Sequence, residues 1–216
     1  MGAAAVAAAV ATLSLALAAA PARGAGGRSI PELFESSFAL EATGQYARAL
    51  EAVEAILRQR PDDYVANLRA GWLSYLLGAH DKAVRFYEKA SDVEPKAIEP
   101  RLGLMLPLMA ARQWARAAEV ARRILEVDPR NYLARSRLAW VAYSQGRYGQ
   151  AERTYAEVLR DYPGDVDMML GLAWTYLKQG RKDDARRTFE RVLRIRRNNE
   201  SARAGLAELD QGGTTP

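Results

Sequence analysis

Apolar residues recur at intervals of three and four between residues 30 and 210, which is the spacing of one face of an α-helix. These segments have the length of helices and come in pairs, each joined by a short turn. The second segment of every pair carries an alanine, 34 residues from the next: Ala49, Ala83, Ala117, Ala151 and Ala185. A fixed period of this length predicts an all-α solenoid of helical hairpins, with each alanine where two helices cross closely.

The period divides the chain into five units: residues 30–63, 64–97, 98–131, 132–165 and 166–199. Prolines stop the second helix of a unit: Pro61, Pro95, Pro129 and Pro163. Residues that favour the N-cap position follow, and they predict the start of the next helix: Asp63, Asn131, Asp165 and Asn199. Glycines end the first helix of four units by taking a left-handed conformation: Gly44, Gly78, Gly146 and Gly180. The third unit has Arg112 at that place.

The two ends of the array also carry signals. Ser29 and Glu32 form a capping box, and Pro31 lies near the first helical position, so the array should start there after a flexible lead-in over residues 23–29. Residues 200–210 predict one more helix of mixed polarity, which caps the open end of the solenoid. The tail, residues 211–216, is expected to fray.

The chain resembles the tetratricopeptide repeat family over about residues 30–210. The resemblance is strongest from Leu138-Ala139-Trp140 to Gly146-Arg147-Tyr148, with Ala151, Tyr155 and Pro163, and from Gly171 to Tyr176, with Gly180, Ala185 and Phe189. The resemblance implies a right-handed superhelix of five antiparallel helix pairs whose first helices line a concave groove. It also implies the binding of a protein or peptide, without intrinsic catalysis.

In this family, the exposed face of each first helix points into the groove. The central place of that face reads Phe38, Trp72, Leu106, Trp140 and Trp174 from unit to unit. One turn earlier it includes Phe34, Leu68, Leu102 and Leu170, and one turn later it includes Tyr75 and Tyr143. We expect these eleven residues, called the groove set below, to bind the partner.

An apolar stripe of this kind can instead be packing between neighbouring first helices. Against that alternative, the buried face of the same helices has its own apolar residues, such as Leu104, Leu138 and Leu172. Some family members hold a peptide's terminal carboxylates with Lys, Arg and Asn at groove positions that are mostly apolar here. The sequence therefore favours a nonpolar or helical ligand, or an extended chain read by its side chains.

Residues 2–20 carry no charge and are rich in Ala, Val and Leu. Ala20-Pro21-Ala22 places small residues where a signal peptidase reads them, so residues 1–22 are predicted to be a signal peptide that is removed after Ala22. This predicts a location in the periplasm or cell envelope. The alternative is an uncleaved N-terminal membrane anchor, and only in that case do we expect the membrane as a partner.

The residue content of the chain excludes several kinds of catalytic and metal-binding site. It contains no cysteine and one histidine, His80, which excludes disulfides, thiolate sites and sites that need several histidines. No phosphate-binding loop or nucleophile elbow is present. The sequence therefore predicts no enzyme, no cofactor and no metal. The net charge of +5 is not concentrated in a basic groove studded with aromatic residues, so nucleic acid is not an expected partner.

The leading hypothesis is an exported scaffold that binds a protein segment in its groove and organises a cell-envelope assembly. Two alternatives remain open. The tryptophans could stack on sugar rings and guide a polysaccharide during export, or the array could assemble with itself into a structural oligomer. The sequence does not determine the oligomeric state.

Overall fold

The computed structural model describes residues 28–211, which form eleven α-helices and no strands. The helices are α1 (Ile30–Ala42), α2 (Tyr46–Gln59), α3 (Tyr64–Leu76), α4 (His80–Val93), α5 (Glu99–Ala110), α6 (Trp114–Val127), α7 (Tyr132–Ser144), α8 (Tyr148–Asp161), α9 (Val166–Lys178), α10 (Lys182–Ile195) and α11 (Glu200–Gln211). The predicted signal peptide, most of the lead-in and the last residues of the tail lie outside this range. None of the described helices combines the length and the apolar character needed to cross a membrane.

Consecutive helices pack as antiparallel hairpins, and each hairpin packs on the next. The first helices of successive hairpins also contact one another, from α3 through α5, α7 and α9 to α11. We call α1, α3, α5, α7, α9 and α11 the inner helices and the others the outer helices. Neighbouring outer helices are bridged by long charged side chains, as in the ion pairs Lys82–Glu54 (2.6 Å) and Arg116–Glu88 (2.8 Å). This arrangement confirms the predicted all-α solenoid.

The predicted helix ends are confirmed. The side chains of Asp63, Asn131 and Asn199 accept hydrogen bonds at 2.9–3.0 Å from backbone amides three residues later, and Asp165 does the same for two amides. The capping box at Ser29 is complete. The four turn glycines have φ between 73° and 75°, and Arg112 takes the same left-handed conformation with φ of 54°. The third turn therefore keeps its geometry without glycine, although a side chain disfavours this conformation.

The five marker alanines are fully buried. Burial of so small a side chain is what the predicted close crossing of two helices requires, because a larger one would need more room in the core.

Successive hairpins interlock through an aromatic ring and a glycine. The Tyr87 ring of α4 fills the space beside Gly71 of its own hairpin and Gly103 of the next, so that a β-carbon at Gly71 would lie 2.9 Å from the ring. Tyr155 of α8 occupies the space at Gly171 in the same way, and Phe189 of α10 occupies the space at Gly205. A methyl group at any of these glycines would overlap the ring.

Large and small residues exchange places at the other two junctions, where the outer helix has a smaller side chain. Each ring precedes its glycine by 16 residues, and the same interval separates Val53 from Arg69 and Ala121 from Arg137. Where the outer helix lacks a ring, the inner helix of the next hairpin therefore carries a long side chain instead of glycine. At each junction, one of the two helices thus has a small residue and the other has a large one.

The interlock predicts opposite effects for one substitution at two helical glycines. Gly171→Ala should destabilise the protein because the new methyl group overlaps the Tyr155 ring, and overpacking of this kind costs about 1–3 kcal/mol. Gly149→Ala, at the second residue of α8, meets no atom within 4 Å and should stabilise the protein slightly, by up to about 0.5 kcal/mol, because helix propensity acts less at a helix end than in the interior. Urea unfolding followed by circular dichroism measures both. Equal shifts for the two variants would contradict the interlock.

Candidate concave binding face

The groove set lies on the inner helices in register. Phe34 and Phe38 are on α1, Leu68, Trp72 and Tyr75 on α3, Leu102 and Leu106 on α5, Trp140 and Tyr143 on α7, and Leu170 and Trp174 on α9. None of the eleven is fully buried, whereas the opposite face of these helices supplies core residues such as Leu73, Leu108 and Met169. The face formed by the groove set, called the concave face below, is partly covered. Phe38 and Trp140 are exposed, whereas most of the other groove residues are half-buried and pack against the core.

The three tryptophans of the groove set occupy equivalent positions but different surroundings. Trp72 is half-buried, and its indole N–H donates a hydrogen bond to Glu41 of the preceding hairpin (2.7 Å). Trp174 is also half-buried, donates to Ser201 of α11 (2.9 Å) and meets Phe189 edge-on at a centroid distance of 5.2 Å. Both rings contact the neighbouring unit. The alternative that the stripe is packing between first helices is therefore partly correct for Trp72 and Trp174.

Trp140 is different. Its side chain is 46 % exposed, and its ring stacks on Tyr143 of the same helix at a centroid distance of 5.7 Å and an angle of 22°. Within residues 28–211 its indole N–H has no hydrogen-bond acceptor. Tyr143 in turn contacts Tyr148 at 5.7 Å. The Trp140–Tyr143 pair is thus a supported aromatic surface that faces solvent.

The N-terminal end of the concave face is electrostatically satisfied. The Arg69 guanidinium lies 3.6 Å above the Phe38 ring and donates hydrogen bonds to Ser37 (2.8 Å) and Glu41 (2.9 Å). Glu41 also accepts the bond from Trp72. Glu41, the charged residue among these apolar positions, therefore holds the side chains of Trp72 and Arg69 in place.

Two tyrosines of the outer helices reach into the inner layer. Because their rings fill the spaces at Gly103 and Gly171, the phenol groups of Tyr87 and Tyr155 come near Tyr75 and Tyr143 of the concave face. Burial raises the pKa of Tyr87 and of Tyr155, and it also raises the pKa of Tyr143. These phenols therefore remain neutral and able to donate hydrogen bonds at physiological pH.

The sequence interpretation missed Arg137. It lies on α7, one residue outside the stripe of groove positions, and its Nη1 donates a hydrogen bond to the carbonyl oxygen of Leu102 (2.5 Å). Burial lowers the pKa of Arg137, and the groups that oppose this are the phenols of Tyr87 and Tyr75. The signal in the sequence is that arginine occupies a place held by glycine in the units before and after it.

The structure also has a cleft on its outer side, between α4, α5 and α6. It has a volume of about 690 Å³ and a floor that includes Leu104 and Leu108. Four of the charged residues around it form the ion pairs Arg116–Glu88 and Arg123–Glu119. Across residues 28–211, no group of three or more His, Cys, Asp or Glu residues is placed to hold a metal ion.

The sequence model of the tetratricopeptide repeat family matches residues 40–105, 108–165 and 142–209. The chain belongs to this family. In the comparison with curated proteins, no sequence matches this tetratricopeptide repeat protein.

Solved structures with the same fold are numerous. A tetratricopeptide repeat protein from Parabacteroides merdae is 21% identical, with a TM-score of 0.77 over 85% of this chain and 73% of that one. YrrB, described as a protein with an unusual peptide-binding site, is 18% identical, with a TM-score of 0.69 over 83% and 92% of the two chains. MamA is 18% identical, with a TM-score of 0.69 over 76% and 90%. At these identities the similarity shows the fold.

The different surroundings predict different costs of removing each tryptophan. Trp140→Ala should destabilise the protein by less than about 1 kcal/mol, because the side chain is half in solvent. Trp72→Ala and Trp174→Ala should each cost about 2 kcal/mol or more, since they remove packing and a hydrogen bond between units. Thermal unfolding of the three variants measures the order. A loss of stability for Trp140→Ala as large as for the other two variants would contradict the exposed position of Trp140.

Proposed function

We propose that this protein is a non-catalytic scaffold that binds a segment of a partner protein along its concave face. The observation that carries the proposal is an apolar face in register over five successive hairpins, in which no residue is fully buried and Phe38 and Trp140 are exposed. A contiguous apolar surface of this kind is typical of an interaction site. Aromatic anchors at its centre supply most of the binding energy in known interfaces.

The Trp140–Tyr143 pair is the expected anchor. Trp140 and Phe38 are the exposed aromatic residues of the groove set, and the Trp140 ring is the larger and stacks on Tyr143, whereas the Phe38 ring is already covered on one face by Arg69. A partner side chain that covers it replaces water on both rings without the need to order them first. YrrB supports a peptide as the kind of ligand, because it shares the fold and is described as having a peptide-binding site.

A protein segment fits the concave face better than a sugar chain. Sugar rings also stack on tryptophan, but their hydroxyl groups need carboxylates and amides as partners. The carboxylate of Glu41 at this face already accepts bonds from Arg69 and Trp72. The apolar residues of the concave face, such as Leu68 and Leu102, offer a sugar no hydrogen bond.

We further propose that the protein is exported and works in the cell envelope. The support is the uncharged apolar stretch of residues 2–20 and the small residues Ala20 and Ala22 before the expected cleavage point. A scaffold in that compartment would hold together an assembly of exported or membrane-bound proteins.

Selection of peptides tests the binding proposal. A library of random 12-residue peptides displayed on phage, panned against the purified protein, should yield binders that Trp140→Ala no longer retains, because the exposed anchor is lost. Tyr162→Ala is the matched control, since Tyr162 is 44 % exposed but lies in a turn between hairpins. Binders that tolerate Trp140→Ala but not Tyr162→Ala, or no binders at all, would refute the proposal.

The mass of the exported protein tests the location. After expression of the full chain in a Gram-negative host, the protein in the periplasm should begin at Arg23, and Ala22→Arg should block the removal of residues 1–22. Intact-mass spectrometry of the periplasmic and membrane fractions gives the answer. A chain that stays in the cytoplasm contradicts export, and a full-length chain in the membrane fraction supports the anchor instead.

A further inference from the structure

We propose that the centre of the concave face recognises an acidic residue inside the partner segment, through the guanidinium of Arg137, while the Trp140–Tyr143 pair takes a large apolar side chain next to it. This rests on the proposed function, because it specifies the chemistry of the segment that binds there. The partner is thus a polypeptide with Asp or Glu between large apolar residues.

The hydrogen bonds of Arg137 leave most of its donors free. A guanidinium has five N–H groups, and within residues 28–211 the recorded acceptor for Arg137 is the carbonyl oxygen of Leu102. No nitrogen of Arg137 is among the fully buried and unpaired polar atoms. The remaining N–H groups are therefore open to an approaching ligand.

The charge of Arg137 is not neutralised by the protein. Arg69, two units earlier in the same register, forms an ion pair with Glu41 at 2.9 Å, and Arg135 pairs with Asp161 at 2.6 Å. Arg137 has no such ion pair in the described part of the chain. A half-buried cation without a counter-ion is costly, and a carboxylate brought by a ligand removes that cost.

The groups around Arg137 favour the same ligand. The phenols of Tyr75 and Tyr87 lie close enough to interact with its charge. Burial raises the pKa of Tyr87, so its hydroxyl stays protonated and can donate a hydrogen bond. The guanidinium therefore has neutral hydrogen-bond donors, and no carboxylate, as its interacting neighbours among the described residues.

The acidic group should be a side chain rather than a chain terminus. Apolar groove residues continue on both sides of Arg137, with Trp72 and Tyr75 on α3 and with Leu170 and Trp174 on α9. A segment that covers this length passes over Arg137 and continues in both directions. A terminal carboxylate at Arg137 would leave half of the concave face empty.

The phage selection reads out this preference directly. Each peptide is fused to the coat protein at its C-terminus, so that no free terminal carboxylate is displayed. Peptides selected on the wild-type protein should carry Asp or Glu beside a large apolar residue. Peptides selected on Arg137→Gln should lose that enrichment, whereas Arg153→Gln, which removes an exposed charge on the outer helix α8, should keep it.

A double-mutant cycle then tests the pairing. A selected peptide is made with its acidic residue and with the corresponding amide, both with an amidated C-terminus, and fluorescence anisotropy gives each Kd. The amide should weaken binding to the wild-type protein by about tenfold or more, as expected for a hydrogen bond to a charged group, and by less than about twofold for Arg137→Gln. Arg137→Lys should retain part of the preference because it retains the charge.

The outcomes separate the two proposals. Selected peptides that are apolar without enriched acids, and still need Trp140, overturn the role of Arg137 and leave the binding function intact. No selected peptide at all refutes both. If the amide peptide regains affinity when its C-terminus is a free carboxylate, a terminus is the ligand and the proposal is wrong. If circular dichroism shows that Arg137→Gln is unfolded, the acidic and amide peptides are compared on the wild-type protein alone. The proposal then requires that the ratio of their two Kd values falls as the salt concentration rises, and a ratio that stays constant overturns it.

Discussion

The stack depends on how closely one hairpin can approach the next. A ring on the outer helix enters the space left by a glycine on the following inner helix, at Tyr87 and Gly103 and again at Tyr155 and Gly171. Dispersion forces act over short distances, so a gap at one junction would lose contacts along both hairpins. The buried alanines allow a similarly close approach of the two helices inside each hairpin. Volume, more than polarity, sets the geometry of this solenoid.

That geometry makes the concave face. Since each hairpin repeats the position of the one before it, residues 34 apart come to lie side by side, and Phe38, Trp72 and Trp140 share one surface. The junctions then differentiate the positions. Trp72 and Trp174 are held by groups of neighbouring hairpins, whereas Trp140 is held by Tyr143 of its own helix and stays accessible. A repeating scaffold thus presents a surface whose side-chain environments do not repeat.

The sequence predicted the local structure well because its signals are local. The N-caps such as Asp63 and the turn glycines each act within a few residues, and the structure confirms them. The left-handed Arg112 shows that the surrounding hairpin can impose a turn on an unsuitable residue. The role of the site residues was harder to predict. Whether Trp140 is covered depends on side chains about 30 residues away, and the role proposed for Arg137 depends on the lack of an ion-pair partner among the described residues around it.

The alternation of ring and glycine also restricts how such an array can change its length in evolution. Loss of residues 98–131 alone would place the ring of Tyr87 against Arg137, and loss of residues 132–165 alone would place Ala121 against Gly171 and leave a void. Loss of both units together would join Tyr87 to Gly171, a combination that already fits elsewhere in the chain. The third and fourth units are therefore inherited most safely as a pair, even though the period of the sequence suggests that any single copy could be exchanged.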